Sequence, residues 1–278
     1  MPEKSMTENI DFSKSEQYTL SIRLSTEGFS FSIFNPINDK SVSYISKEIE
    51  QSLSLAANVK VAIKELDFLH HPYKRINILL ASKRFTLIPM EYFDDDLAET
   101  IFYHNHSKLD NELVLYNTLK KTNIVVAFSI DKSAYQQLSE KFPNAHFYSQ
   151  ATPLCEFFAA KSKLGNSQKM YAYIKNDMLD IFCFDRGRML FANAFTCKQT
   201  QDRVYYLLYV WKQLNFNQER DELHLTGTLE DKEMLTNELK RFLQQLFIIN
   251  PSSEFNLISQ TGIEDVPFDM QTLSLCEL

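Results

Sequence analysis

Glycine is scarce in this chain. Only five glycines occur among 278 residues, at positions 28, 165, 187, 227 and 262. Loops that hold phosphate groups bring their backbone close to the ligand, and a Cβ atom obstructs that approach. Neither the G-x-x-x-x-G-K-[S/T] phosphate loop nor the G-x-G-x-x-G dinucleotide loop is present. The sequence therefore excludes the two most familiar nucleotide-binding loops.

Cysteine is also sparse and has no metal-binding or redox spacing. The four cysteines form no C-x-x-C pair, and Cys155, Cys183 and Cys197 each lie among Phe or Ala residues. A free cysteine in such surroundings usually acts as a small apolar side chain, whereas a reactive thiol needs an electropositive setting. We therefore predict core positions for these cysteines, and we do not interpret Cys155 and the nearby His146 as a catalytic pair.

Long apolar runs and basic clusters are missing as well. The longest apolar run, Val204 to Trp211, has eight residues, whereas a membrane helix needs ~20. The 29 basic and 36 acidic residues give a net charge of −7, and binding to nucleic-acid phosphates needs clustered Lys and Arg. We expect no membrane span and no nucleic-acid partner. The polar residues 1–16 lack the apolar core of a signal peptide, which predicts a disordered leader and a cytoplasmic location.

What the chain has in abundance is alternation of apolar and polar residues, the pattern of half-buried strands. Tyr18–Leu24 and Phe29–Phe34 alternate in this way. Between them, Ser25 to Gly28 predicts a tight hairpin loop. The elements predicted next are a third strand, a long helix and a buried strand, at Val42–Ile45, Ile49–Phe68 and Ile76–Leu80.

The same order of elements recurs after the polar linker Leu164–Ser167. Three strands, a helix, a strand, a helix and a strand are predicted at Met170–Ile174, Leu179–Phe184, Met189–Phe195, Gln199–Leu214, Leu223–Thr226, Glu230–Gln245 and Phe247–Ile249. We therefore predict an α/β protein with two βββαβαβα halves, at residues 17–165 and 166–278. An insertion is expected around residues 83–130. Apolar residues such as Phe268 in the C-terminal tail predict that the tail docks onto the body.

Three antiparallel strands, a helix and a strand that returns in parallel form the ribonuclease-H-like order. Duplicated and with an insertion in the first half, this order resembles the actin-like ATPase fold of actin, sugar kinases and chaperone ATPases. The whole chain also resembles a bacterial family of unknown function to which that fold has been attached. The resemblance covers Tyr18 to about Ile258 and depends mainly on the order of elements.

The resemblance implies a nucleotide site between two hairpins, each with Asp followed by Gly and Ser or Thr. The first hairpin keeps Ser25, Thr26 and Gly28 but has no Asp, and its counterpart keeps Asp177 but has no Gly. The Gly-Gly that contacts adenosine in the family corresponds to Thr226-Gly227, with one glycine of the two. The implied cofactor-binding positions are therefore eroded. We expect no catalytic residues, no cofactor and no nucleotide binding.

Two further sets of side chains have a functional and a structural interpretation. His104 and His106, with Asp94–Asp96 and His70-His71, contain metal-ligand types. Carboxylates that begin a helix and histidines that end it are more often capping residues, so we predict no metal site. Acidic residues at strand ends, such as Asp180, are interpreted as solvated carboxylates.

The segment Arg203–Lys212 is apolar almost all round a helix, which favours burial in the core or between the two halves. The alternative is a partner-binding surface, with anchors at Tyr205, Tyr206, Tyr209 and Trp211. Our leading hypothesis is a non-catalytic actin-like protein that binds a protein partner or acts as a scaffold. A divergent ATP-dependent phosphotransferase or ATPase is the alternative. A metal-dependent hydrolase of ribonuclease-H ancestry is a third reading, and it requires a cluster of carboxylates.

Overall fold

The computed structural model describes residues 10–36, 42–229, 231–254 and 266–275. The strands in these ranges are β1 (Thr19–Leu24), β2 (Gly28–Phe34), β3 (Val42–Glu48), β4 (Arg75–Leu80), β5 (Phe85–Pro89), β6 (Glu112–Leu119), β7 (Ile124–Asp131), β8 (Ala145–Ser149), β9 (Gln168–Lys175), β10 (Met178–Asp185), β11 (Arg188–Thr196), β12 (Glu222–Gly227) and β13 (Gln245–Ile248). The α-helices are α1 (Leu55–Glu65), α2 (Ala98–Asn105), α3 (Lys132–Lys141), α4 (Ala151–Ser162), α5 (Thr200–Gln213), α6 (Lys232–Lys240), α7 (Pro251–Glu254) and α8 (Phe268–Leu275).

The two halves contain sheets with the same topology. The first sheet has the order β3-β2-β1-β4-β8, and the second has the order β11-β10-β9-β12-β13. In each sheet the first three strands are antiparallel, and the last two run parallel to the central strand. The predicted ribonuclease-H-like order is therefore confirmed in both halves.

The insertion in the first half forms a sheet of its own. Strands β5, β7 and β6 pair antiparallel in that order, and α2 packs on them with Phe102 in a small core of its own. Every residue of β7 from Ile124 to Ile130 is buried, because one face of the strand packs with Phe102 of α2 and the other belongs to the main core. The inserted sheet thus stands beside the main sheet and extends the first half.

Order at the N-terminal end begins earlier than the sequence predicted. Phe12–Gln17 form a 3-10 helix in which the Ser13 N–H donates to the Asp11 carboxylate, and the Phe12 ring stacks on His71 at 4.6 Å. The disordered leader over residues 1–16 is therefore wrong for residues 10–16, because Phe12 finds a partner that local sequence does not reveal. Residues 1–9 lie outside the described residues.

Two helices are shorter than predicted. The helix expected over Ile49–Phe68 begins only at Leu55, since the Ser54 hydroxyl caps it and the Asn58 amide holds the preceding loop at Glu50. This difference follows from side-chain capping, which competes with helical periodicity. The helix expected over Glu230–Gln245 spans Lys232–Lys240, and Gln245 begins β13 instead.

The last helix of each half packs on the sheet of the other half. From the first half, α4 reaches β9 and β10, where Phe158 stacks on Tyr171 at 4.5 Å. From the second half, α8 brings Met270 and Leu273 against Leu79 and Tyr148 of the first sheet. The described part of the tail, from Val266 to Leu273, is buried, which confirms that it docks onto the body. Full burial of a side chain as large as Phe158 contributes ~1.5–3 kcal/mol.

Candidate functional site

The hairpins that follow β1 and β9 meet between the two halves. The β9–β10 turn consists of Asn176 and Asp177, and Asn176 adopts a φ of +50°, which Asn tolerates better than most residues. Its side-chain amide donates a hydrogen bond to the carboxylate of Glu27 in the β1–β2 hairpin. A cavity of about 20 Å³ remains beside this contact, which is roughly room for one water molecule.

The hydroxyl of Ser25 is occupied within its own hairpin. It donates to the Gly28 carbonyl oxygen at 2.7 Å and accepts from the backbone N–H groups of Glu27 and Gly28. The carbonyl of Thr26 accepts a hydrogen bond from the Gln51 side chain at 3.2 Å. These contacts pair the polar groups of the hairpin with each other and with Gln51.

Both glycines at the predicted loop positions lie tightly against a neighbouring strand. A Cβ atom added to Gly28 would stand 3.0 Å from the Lys47 carbonyl oxygen. Gly227 has a φ of +99°, and an added Cβ would stand 2.0 Å from the Ile174 carbonyl oxygen. That oxygen accepts the backbone N–H of Thr228 at 2.7 Å. Close approach of one backbone to another accounts for both glycines without a ligand.

The predicted positions do not converge on one point. Ser25 and Thr26 line the small cavity together with Lys175. Asp177 is exposed on its turn, and its carbonyl accepts the Cys197 N–H at 2.7 Å. Thr226 is buried, and among the described residues its hydroxyl has no hydrogen-bond partner.

A buried ion pair, which the sequence did not reveal, lies next to the cavity. Arg23 of β1 donates from Nε to the Asp269 carboxylate of α8 at 2.8 Å, and both side chains are almost fully buried. Burial lowers the pKa of Arg23, but the Asp269 carboxylate more than offsets this and the pKa lies above its usual value. The signal available in the sequence was a lone acid between Phe268 and Met270, in a tail predicted to dock.

Asp180 of β10 was expected to be solvated, and this prediction is wrong. Asp180 is buried, and one of its oxygens accepts a hydrogen bond from the Gln150 side chain at 2.8 Å. Its second oxygen has no partner among the described residues. Burial, followed by the nearby Asp269 carboxylate, raises the pKa of Asp180 to about 8. Asp180 lies on the same face of β10 as Phe182 and Phe184, and α4 of the other half covers that face.

Lys175 lines the small cavity together with Arg23. Burial, followed by the Arg23 guanidinium, lowers the pKa of the Lys175 ammonium group. The Asp269 and Glu27 carboxylates act in the opposite direction. The site therefore combines two cations, Arg23 and Lys175, with the carboxyl groups of Glu27, Asp180 and Asp269.

The aromatic helix, α5, belongs to the core of the second half and does not line the space between the halves. Trp211 is 3% exposed and packs with Leu207 and Val210. Tyr205 and Tyr209 face outward and stack on each other at 5.8 Å. The partner-binding interpretation therefore loses Trp211 as an anchor and keeps two tyrosines.

The side chains considered for metal binding and thiol chemistry have local roles. Asp94 caps the 3-10 helix Asp95–Leu97, and a ring nitrogen of His106 contacts the Phe85 carbonyl oxygen at 3.1 Å. No group of three or more His, Cys, Asp or Glu able to hold a metal occurs in the described ranges. Cys155, Cys183 and Cys197 are buried, and burial raises the pKa of Cys197 to about 11.

Comparison with solved structures identifies the class of fold. A Bacteroides thetaiotaomicron protein described as having an actin-like ATPase fold and unknown function matches with a TM-score of 0.87 and 60% identity, over 96% of this chain and 99% of that one. A chain of a PilM-PilN type IV pilus biogenesis complex matches with a TM-score of 0.57 and 13% identity, over 92% of this chain and 97% of that one. The fold is therefore that of the actin-like ATPases.

The chain belongs to DUF3822, a family of proteins of unknown function, whose sequence model matches residues 7–246. No curated protein matches the chain in sequence. In the part of the chain that the structure describes, no helix is both long enough and apolar enough to cross a membrane.

Proposed function

We propose that this protein is a non-catalytic member of the actin-like fold that acts by binding another protein. The observation that carries the proposal is the direct contact between the two hairpins, in which the Asn176 amide meets the Glu27 carboxylate. Actin-like ATPases hold phosphates in this space. The cavity directly beside this contact measures about 20 Å³, far below the ~300–1,000 Å³ of ordinary ligand pockets.

The local chemistry supports the same proposal. Phosphate binding at such hairpins depends on free backbone N–H groups, but those of Glu27 and Gly28 already donate to the Ser25 hydroxyl. Arg23 is paired with Asp269, and Glu27 faces Lys175. A phosphate entering here would meet carboxylates as well as cations, so the residues present do not fit a nucleotide with its Mg²⁺.

Protein binding is the mode of action we favour over scaffolding alone. The chain of similar fold from the PilM-PilN complex is part of a protein assembly, and we extend that mode of action to this chain within the proposal. The exposed Tyr205 and Tyr209 offer one surface of the kind that protein interfaces use. A cytoplasmic location is part of the same proposal.

A divergent ATP-dependent phosphotransferase or ATPase is the alternative. A cavity of about 710 Å³ shares Ser25, Glu27 and Lys175 with the small cavity, and Lys47 also lines it. Two cations beside a hairpin favour an anionic ligand. Lys47, however, already donates to the Glu65 carboxylate at 2.6 Å, and two acids, Glu27 and Glu48, line the same cavity.

Thermal unfolding with and without Mg²⁺-ATP tests the proposal. Ligand at a hundredfold excess over its Kd would stabilise the native chain by ~2.7 kcal/mol. We expect no shift in melting temperature and no release of phosphate. A saturable upward shift that Lys175→Gln abolishes, and that the matched surface variant Lys212→Gln keeps, would favour the phosphotransferase instead.

A further inference from the structure

A second cavity lies between the main sheet of the first half and the inserted sheet. Its volume is about 420 Å³, which falls in the ~300–1,000 Å³ range of ligand pockets. Its walls include the carboxyl ends of β1 and β4 and the loop between β3 and α1. We call it the insertion pocket and define it by Leu24, Leu53, Leu80, Leu109, Glu112 and Ile130.

Two polar side chains of the insertion pocket, Asn58 and Arg84, are already committed to the fold. The Asn58 amide group makes hydrogen bonds to the loop between Glu50 and Ser54. Arg84 donates from two nitrogens to the two oxygens of Glu112, at 2.9 and 2.8 Å. A sugar or a phosphate needs polar groups that are free to pair with it, and these are not. The pocket is therefore suited to an apolar occupant.

The charge of the walls is negative. They carry three carboxylates, Glu50, Glu112 and Asp131, and one guanidinium, Arg84. Arg84 pairs with Glu112. Within the described ranges, Glu50 and Asp131 have no ion-pair partner. The Asp131 carboxylate accepts hydrogen bonds from the Ala134 N–H and the Asn111 side-chain amide, both at 2.8 Å, and the Glu50 carboxylate accepts one from the Ser52 hydroxyl at 3.0 Å. Two carboxylates without a cationic partner, beside an apolar floor, favour an occupant with basic groups and disfavour an anion.

The apolar surface continues past the mouth of the pocket. Leu53, in the loop before α1, is 44% exposed, and Leu109, in the loop before β6, is 51% exposed. Both line the insertion pocket, although they come from separate parts of the chain. An occupant confined to the cavity would leave part of these side chains in water, whereas a longer one would cover them. A stretch of polypeptide has the length to do so.

We propose that the insertion pocket binds a segment of a partner protein in which apolar side chains are flanked by Lys or Arg. The inference rests on the proposed function and assigns the partner-binding site to this pocket, away from Tyr205 and Tyr209. Apolar side chains of the segment fill the floor between Leu24, Leu80 and Ile130. Its basic groups lie near Glu50 and Asp131.

The test uses a displayed library of random peptides, selected on the full-length chain, with the most enriched peptide then synthesised with a fluorophore. We expect enriched peptides to combine apolar residues with net positive charge. Leu53→Ser and Leu109→Ser should each weaken the Kd by about tenfold, as loss of an interface anchor does. Both side chains are exposed, so the variants should fold, and thermal melts check this.

Matched controls separate the pocket from the rest of the surface. Leu164→Ser removes a leucine that is 67% exposed and does not line the pocket, so it should leave the Kd unchanged. Glu50→Lys should weaken binding, and Glu219→Lys, an exposed acid elsewhere, should have little effect. Added salt should reduce the gap between these two charge variants.

Three results would overturn the inference: no enriched peptide, enriched peptides that are acidic, or binding that ignores Leu53→Ser and Leu109→Ser. Binding lost instead in Tyr209→Ser would move the partner site to the aromatic helix, while the proposed protein-binding function would stand. A saturable effect of Mg²⁺-ATP would count against the proposed function, whatever the peptides do.

Discussion

The two halves share one strand order, yet the sheet faces that they turn toward each other differ in chemistry. The face in the first half is polar, with Ser21, Arg23, Ser30 and Ser32 paired across β1 and β2. The face in the second half is largely aromatic, with Tyr171, Tyr173, Phe182 and Phe184. A common topology therefore does not require a common interior.

The helix that covers each face matches it. On the polar face, α8 brings Asp269 to Arg23. On the aromatic face, α4 brings Phe158 between Tyr171 and Phe182, with ring centroids 4.5 and 5.5 Å apart. One contact is therefore ionic, and the other depends on aromatic packing. The two halves therefore share their strand order, whereas the side chains of each sheet face match those of the helix that covers it.

The largest expected effect comes from breaking the buried ion pair between Arg23 and Asp269 on the polar face. Asp269→Ala should lower the free energy of unfolding by about 3–5 kcal/mol, because it leaves the Arg23 guanidinium charged, buried and unpaired. Urea denaturation measures the change.

Two variants control that experiment. The double variant Arg23→Met with Asp269→Leu should recover most of the loss, since an apolar pair leaves no buried charge. Asp185→Ala removes a carboxylate whose partners Arg186 and Arg188 are exposed, and it should cost less than about 1 kcal/mol. Equal effects of Asp269→Ala and Asp185→Ala would show that the buried pair has no special role.

A smaller effect is expected at the loop glycine of the second half. Gly227→Ala should destabilise the chain by about 1–3 kcal/mol more than Gly165→Ala. Both glycines have positive φ, but an added Cβ meets the Ile174 carbonyl at 2.0 Å in the first case and nothing closer than 4.0 Å in the second. Thermal melts of the two variants compare them directly. Equal losses would mean that backbone strain alone, and not close packing, requires glycine at this position.

Asp180 gives the most specific effect, a dependence of the free energy of unfolding on pH. The pKa of Asp180 is raised from 3.8 to about 8 on folding, so between these values the folded chain binds more protons than the unfolded chain. Stability should therefore fall as pH rises from about 5 to 8, by at most ~1.4 kcal/mol per pH unit. Asp180→Asn should flatten this slope, which urea titrations at several pH values would measure. A variant with the wild-type slope would place the pH dependence on another group.

Much of the strand order was predictable, because the local periodicity of apolar residues marks the individual strands. The alternation in Tyr18–Leu24 and Phe29–Phe34 marked β1 and β2, and the repeat of the order after Leu164 marked the second half. Three strands, a crossover helix and a parallel strand leave few topologies open. The docked tail was predictable as well, since Phe268 and its apolar neighbours had to be buried somewhere.

The interior between the halves was not predictable, for a physical reason. Alternation in β1 correctly separated Arg23 from the apolar face, but it could not say that another half covers the polar one. Asp180 lies on one face of β10 with Phe182 and Phe184, and its hydrogen-bond partner Gln150 is thirty residues away in the chain. The eroded loop positions, Ser25 to Gly28 and Thr226-Gly227, stay predictions as ligand sites, and contacts within the fold account for Ser25, Gly28 and Gly227.

The packing of α8 on the sheet of the first half also affects the order in which contacts can form during folding. Arg23 and Asp269 are separated by 246 positions, and the groups that cover the polar face of the first sheet come from the end of the chain. During synthesis the first half is therefore complete in sequence long before its buried arginine has a counter-ion. Contacts of such long range slow folding, and until α8 docks, the emerging first half presents a cationic, serine-lined surface to the cell.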